Sequence, residues 1–401
     1  MNRVLKTTFT ASRHNLNRLF ECNRISAEVW NTCLELAKEH HQNTGHWISK
    51  TRLQTLTKRQ FPLHSQSVQS VCHRYIWNRD AVHQARKAGY DTRYPYRTKK
   101  YFPTRWVQEG FTIYPNGKVE LSMGIWQGKR QKPIVVYAHK LPLQEIKMIE
   151  LVWDGELKLG LTFESGIQAE LKTTGQEAAI DLGEIHGIAA VTESGEAMVS
   201  TSRKLRSIKR LRNKKYKELK KKRSRCTKGS RQYRKLTRAI RKLKTKTDNQ
   251  QRDILHKQSR QFVDWAEEHV VKIVYVGDVE GVQRNTSARK KSNPKHKRRS
   301  RIHNQRMSQW PFGLLVGYLT YKLKEKGVLL ETIDESYTTQ TCPVCTRRKK
   351  QSGRMYRCKC GYALHRDVHG ARNILSKAKY GKITTGDITM PKRVMYLRPA
   401  A

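Results

Sequence analysis

Four cysteines near the C-terminus constrain this chain more than any other feature. Cys342 and Cys345 form a C-x2-C pair, and Cys358 and Cys360 form a C-x-C pair, separated by a short basic loop. Two close pairs of thiolates across a hairpin-sized loop suit a closed tetrahedral zinc site. The C-x-C spacing is a small departure from the commoner C-x2-C. The intervening loop is too polar to fold on a core of its own, which fits a site whose metal supplies folding energy. The other cysteines, Cys22, Cys33, Cys72 and Cys226, are scattered singly. The N-terminus has no apolar run of the secretory kind. Buried thiols or disulfides are therefore the poorer reading, and a reducing cytoplasmic compartment is expected. Two acids, Glu335 and Asp367, flank the cysteine set.

The charge balance points to a polyanionic partner. Lys and Arg number 82 against 33 Asp and Glu in 401 residues, a formal charge of +49. Such charge repels itself in a compact state unless a polyanion neutralises it. Phosphate neutralisation and counterion release make nucleic acid the obvious partner. A membrane partner is not expected, because there is no long apolar run and the basic helices lack a wide apolar face.

Taken in order, the chain begins with one weak strand over residues 1–10. From about 13 to 90 the apolar period is helical, with Val29, Trp30, Cys33, Leu34 and Ala37 on one face. Ser26 is the expected N-cap there, and three or so short packed helices are expected. Residues 91–105 interleave aromatics with cations, a pattern that can stack on bases and pair with phosphates, or simply form a surface linker. Asn116-Gly117 and Asp154-Gly155 sit between alternating runs and mark hairpins over 105–170. With the first strand, these make a small β-barrel interrupted by the helical segment.

After Gly175 the strand 178–183 is buried and carries one acid, Asp181, followed by a hairpin across Ser194-Gly195. Such a start is that of a ribonuclease-H-like sheet. Residues 203–250 are extremely basic with a thin apolar seam, a helical hairpin turning at 222–229. Its cationic faces suit a duplex backbone better than base edges. Candidate contacts are Arg203, Lys204, Arg210, Lys214, Lys215, Arg234, Arg238 and Arg241. A further helix is expected over 253–271, a short strand ending at Gly277-Asp278, a basic loop over 284–306, a helix over 310–326 and a strand over 328–333. The tail after about Tyr380 has no clear period and is expected to be disordered.

Several motifs in this order resemble a known family. They are Ile180-Asp181-Leu182-Gly183-Glu184, Ser308-Gln309-Trp310, Tyr321-Lys322, Tyr337-Thr338-Thr339-Gln340-Thr341-Cys342, His365-Arg366-Asp367 and Asn373-Ile374. Over roughly 175–376 they resemble TnpB, the transposon-encoded RNA-guided nuclease from which the type V CRISPR effectors descend. The resemblance implies an α+β multidomain chain: a WED-like β-barrel (1–12 and 91–172), a REC-like helical module (13–90), and a RuvC nuclease domain (173–336 and 361–378). A zinc ribbon (337–360) is inserted in the last, and a disordered tail (379–401) follows. It also implies a guide RNA from the transposon end, a double-stranded DNA target read beside a short flanking motif, and a prokaryotic, nucleoid-associated setting. A monomer is favoured.

RuvC chemistry asks for three carboxylates around two divalent cations, and Mg²⁺ suits such an all-oxygen site. Asp181 matches the family's first acid and Asp367 its third, while Arg366 is a candidate contact to the scissile phosphate. The histidines His365 and His369 could equally lie on a solvated face. The second acid departs from the family, since Gly277 stands where a Glu is usual. Three readings follow: the site is dead, Asp278 serves, or Glu335 supplies the carboxylate from the next strand. Geometry favours Glu335. Neighbouring strands lie about 4.8 Å apart, the extra methylene of Glu helps bridge that gap, and Gly277 leaves room. Strand alternation points Asp278 to the opposite face. The resulting expectation is an Mg²⁺-dependent RNA-guided endonuclease carrying one structural Zn²⁺, with a nuclease-dead RNA-guided binder as the alternative. A basic ribosomal or chromatin-type protein would leave the three acids unexplained.

Overall fold

A computed structural model describes residues 2–167, 169–279, 309–351 and 353–399. The basic loop expected over 284–306, and Ser308, lie outside the described residues. The chain forms two compact units, 1–167 and 168–401.

In the first unit, strands β1 (Asn2–Thr7) and β2 (Phe9–Thr10) run consecutively but join different sheets. Helix α1 (Arg13–Thr44) starts at Ser12, whose hydroxyl accepts from the Asn15 N–H, and ends at Gly45 in the left-handed conformation. The helix is one 32-residue rod, not the first of several short ones. Ser26 is not its cap: it is buried mid-helix, 2.8 Å from the Thr104 hydroxyl. A helix interior offers a serine no free N–H, so it bonds across to a strand instead. Helices α2 (Lys50–Thr57) and α3 (Ser65–Lys87) follow.

Strands β3 (Thr104–Val107), β4 (Phe111–Ile113), β5 (Lys118–Leu121), β6 (Ile125–Trp126), β7 (Lys129–Arg130), β8 (Ile134–Ala138), β9 (Ile146–Trp153) and β10 (Leu157–Glu164) complete the unit. They make two four-stranded sheets, β1-β10-β9-β3 and β2-β8-β5-β4, and the β6-β7 ribbon. The Asn116-Gly117 and Asp154-Gly155 turns join β4 to β5 and β9 to β10 antiparallel. Gly117 takes a φ of 83°, and a Cβ there would meet the Ala138 carbonyl at 2.9 Å. In the aromatic loop, Phe102 stacks on Trp30 and Tyr94 bonds His83, while Tyr96 and Tyr101 stay exposed.

The second unit is built on a six-stranded sheet. Its strands are β11 (Gln176–Asp181), β12 (His186–Thr192), β13 (Ala197–Thr201), β14 (Val271–Gly277), β15 (Leu329–Ile333) and β18 (Val394–Leu397). The order is β15-β14-β11-β12-β13-β18. β12 is antiparallel to β11 and β13, and the other pairings are parallel. Strand alternation splits the core. Ala178, Ile180, Val274 and Val276 pack under α5 (Arg231–Glu268) and α6 (Phe312–Lys324). Ala179 packs with Ile374 and Leu375 of α7 (Arg366–Tyr380). By the same parity Asp181 and Gly277 belong to the α7 face.

Three expectations change here. The second arm of the basic hairpin and the helix expected over 253–271 are one 38-residue helix, α5. Its apolar positions continue from the seam, starting at Leu236, into the core at Ile254, Phe262 and Val263 without a breaker. It pairs with α4 (Arg203–Ser224), where Leu205 is buried but Leu211 is exposed. The tail is ordered: β18 pairs parallel with β13, and Ile388 is buried. The cause is Arg372 of α7, fully buried, whose guanidinium donates to the carbonyls of Thr384, Thr385 and Ile388. A buried guanidinium must be satisfied, and the tail's backbone supplies the acceptors. Finally, residues 169–172, expected in the barrel, go with the second unit, where the Lys172 N–H donates to the Gly327 carbonyl at 2.8 Å.

Candidate functional site

The cysteine knuckle lies between β15 and α7. Its strands β16 (Met355–Arg357) and β17 (Ala363–His365) pair antiparallel, and α7 starts one residue after β17. The four Sγ atoms of Cys342, Cys345, Cys358 and Cys360 lie within 4.8 Å of one another. Cys342 and Cys360 are 3.5 Å apart, and Cys345 and Cys358 are 3.4 Å apart. Four sulfurs at about 2.3 Å from one Zn²⁺ would sit roughly 3.8 Å apart, so the donor set fits that ion with small adjustments. The Cys360 backbone N–H beside Cys358 holds its thiol below the usual range, which favours the ligating thiolate.

The knuckle is tied to α7 by buried polar contacts. The Asn373 amide donates to the carbonyls of Thr338 and Thr341 at 2.7 and 2.8 Å. His369 is fully buried, stacked on Tyr356, with Nδ1 3.0 Å from the Tyr362 hydroxyl. It does not lie on a solvated face. Burial drives its imidazole down to about 3, so it is a neutral packing group.

Asp181, at the end of β11, faces α7, where Gly370 leaves its carboxylate room. A Cβ on Gly370 would come within 2.2 Å of Asp181 Oδ2. Asp367 is in the first turn of α7, where the helix dipole favours a negative charge. Glu335 follows β15, and its side chain occupies the space beside Gly277: a Cβ there would lie 2.6 Å from Glu335 Oε2 and 3.1 Å from Ile374 Cδ1. Asp181 is pushed well above the carboxylate range by burial and by the charges of Asp367 and Glu335, against a smaller opposing effect of Arg366. Burial and the charges of Asp278 and Asp334 push Glu335 up to about 7. The fold thus brings Asp181 within electrostatic reach of both Asp367 and Glu335, and the Arg354 guanidinium lies 3.6 Å from Asp367. Asp278 is exposed, with its N–H on the Ile333 carbonyl. Arg366 is half-buried and reaches the Gln351 carbonyl at 3.4 Å.

Two histidines escaped the sequence reading as a pair. His186, which opens β12, and His365, which closes β17, meet beside Asp367, and the three offer ligand atoms within 4.8 Å of one another. No spacing rule links them. The only hint in the sequence was that one follows the Asp181 motif and the other precedes Asp367.

Arg203, Lys204, Arg210, Lys214, Lys215, Arg234, Arg238 and Arg241 are all exposed along α4 and α5. Near the base of α4, Lys209 is buried over the Trp310 ring and donates to the Gln309 carbonyl, and burial lowers its amine to about 8. The Gln309-Trp310 pair therefore anchors the basic arm.

Comparison with known proteins bears on this geometry. Residues 312–374 match the family model described as Cas12f1-like, TNB domain, and residues 161–283 match the probable transposase model OrfB_IS605. A TnpB-like protein of Methanocaldococcus jannaschii is 28% identical over 143 residues, 35% of this chain and 46% of the relative. A putative transposase of Paramecium bursaria Chlorella virus 1 is 43% identical over 58 residues, 14% of this chain and 13% of the relative. The chain thus matches less than half the length of these curated relatives. The Cas12f1 chain of a Cas12f1–sgRNA–target DNA complex superposes with a TM-score of 0.64 at 14% identity, over 90% of this chain and 82% of that one. The mini RNA-guided endonuclease CRISPR-Cas phi3 gives 0.51 at 12% identity, over 98% and 94%. At such identities the likeness is one of fold. The class is therefore a mixed α+β protein with a Cas12f-like fold, a transposase-type sequence and a cysteine cluster suited to zinc. Within that class, the sequence matches are to a TnpB-like protein and to transposase-type proteins.

Proposed function

We propose that this protein is an RNA-guided DNA endonuclease whose active site is Asp181, Glu335 and Asp367. The six-stranded sheet with α7 is read as the RuvC domain, the first unit as WED-like sheets around a REC-like helical module, and the cysteine knuckle as a zinc ribbon. One observation carries the reading: Asp181 feels the charges of Asp367 and Glu335 from separate segments, and burial with neighbouring acids (Asp278 and Asp334 for Glu335) presses Asp181 and Glu335 toward their protonated forms. A fold keeps carboxylates at such a cost when a function needs them. Two divalent cations held by this trio would supply an activated water and stabilise the leaving oxygen of the cut strand. Glu335 takes the place of a residue-277 acid, because Gly277 frees the volume its side chain fills. The exposed cations of α4 and α5 hold backbone phosphates, and guide pairing supplies the sequence choice. Partners are a guide RNA from the transposon end and double-stranded DNA.

The test is cleavage of a supercoiled target plasmid with guide RNA and Mg²⁺. Wild type is expected to give linear product, and Asp181→Ala and Asp367→Ala are expected to retain guide binding without product. Guide-dependent gel shift without cleavage by wild type would instead select the nuclease-dead binder.

A further inference from the structure

We propose that His186, His365 and Asp367 form a binding site for a first-row divalent transition ion of the Fe²⁺ type, adjoining the carboxylate trio. The side chains come from the start of β12, the end of β17 and the first turn of α7. His186 Nδ1 lies 3.9 Å from Asp367 Oδ2, and the two imidazole rings are 5.3 Å apart at 33°. His186 is 7% exposed. Its Nδ1 and that of His365 are both buried without a hydrogen-bond partner among the described residues. Two orphaned imidazole nitrogens beside one carboxylate are costly unless something ligates them. Ligand atoms around one such ion sit about 3 Å apart, so side-chain movements of up to roughly 2 Å close the set. Arg354, whose Nη1 is 3.6 Å from Asp367 Oδ2, is half exposed and free to swing out.

The donor types decide which ion binds. Imidazole suits first-row transition ions such as Fe²⁺, Ni²⁺ and Zn²⁺, for which Mn²⁺ serves as a paramagnetic probe, whereas Mg²⁺ prefers an all-oxygen shell. Asp181 and Glu335 offer oxygen only. The chain would thus hold an imidazole-bound ion at one end of the site and oxygen-bound ions at the other, with Asp367 between them. The inference deepens the proposed nuclease reading and rests on it for the role of Asp367, but not for the binding itself.

Pulsed EPR of Mn²⁺ bound to the full-length chain, in a fiftyfold excess of Mg²⁺ and without nucleic acid, tests this directly. The expected result is ¹⁴N modulation from imidazole, retained in Asp181→Asn and lost in His365→Ala, with at least a tenfold weaker Mn²⁺ affinity in the latter. His186→Ala should behave likewise, with circular dichroism checking its fold. Bound Mn²⁺ without nitrogen modulation in wild type, or no binding against Mg²⁺, overturns the proposal whatever the variants do. Cleavage is read separately: nitrogen ligation without plasmid cutting sinks the nuclease reading and leaves this one standing, and the reverse outcome does the opposite.

Discussion

Replacing Glu335 with Gln separates a buried acid's cost from its use. Its carboxyl is raised from an ordinary 4.5 to about 7 by burial and by Asp278 and Asp334. At roughly 1.4 kcal/mol per pH unit, ionising it costs the metal-free fold roughly 3 kcal/mol. The sign follows from linkage. A carboxyl with a raised folded-state pKa contributes most stability below its unfolded value and loses it as pH rises through about 7. Metal-free Glu335→Gln should therefore match wild type in urea unfolding at pH 4.5 and exceed it by up to roughly 3 kcal/mol at pH 8. Mg²⁺ should narrow the gap at pH 8, since it binds the wild-type carboxylate and not the amide. The same variant should lose plasmid cleavage. Equal stability of the two proteins at both pH values would refute the argument, because a carboxylate in solvent carries no such penalty.

A swap tests the volume argument. Glu335→Ala should abolish cleavage, and adding Gly277→Glu should restore part of it, since the new side chain enters space that Glu335 has vacated. Cys345→Ser should lower zinc content, measured by plasma mass spectrometry, and expose 337–365 to proteolysis, because the polar knuckle loses its metal-supplied folding energy. Changing Arg234, Arg238 and Arg241 together to Ala should flatten the salt dependence of RNA or DNA binding by about 2–3 in log–log slope, at roughly 0.7–0.9 per cation. Arg372→Ala should cost about 3 kcal/mol from lost charged hydrogen bonds and release the segment after Tyr380, seen as early C-terminal cleavage in limited proteolysis.

Local chemistry was legible in the sequence alone. The cysteine pairs announce a metal knuckle because zinc demands four thiolates at short range. The alternating and helical periods mark most strands and helices, and the Asn-Gly and Asp-Gly turns mark hairpins, because each depends only on nearby residues. Asp181, Glu335 and Asp367 could be singled out because each lies within two residues of an element's end, next to a distinctive motif. Long-range burial was not legible. The tail reads as structureless until Arg372, from another element, needs its carbonyls. Ser26 reads as a cap until α1 is seen to begin at Ser12. His186 and His365 are ordinary histidines in sequence, and only the sheet order, with β12 beside β11 and the knuckle delivering β17 to α7, brings their nitrogens beside Asp367. Period and spacing report what each residue sees along the chain, whereas the cost of an unpaired buried nitrogen or charge is set by what folds against it from elsewhere.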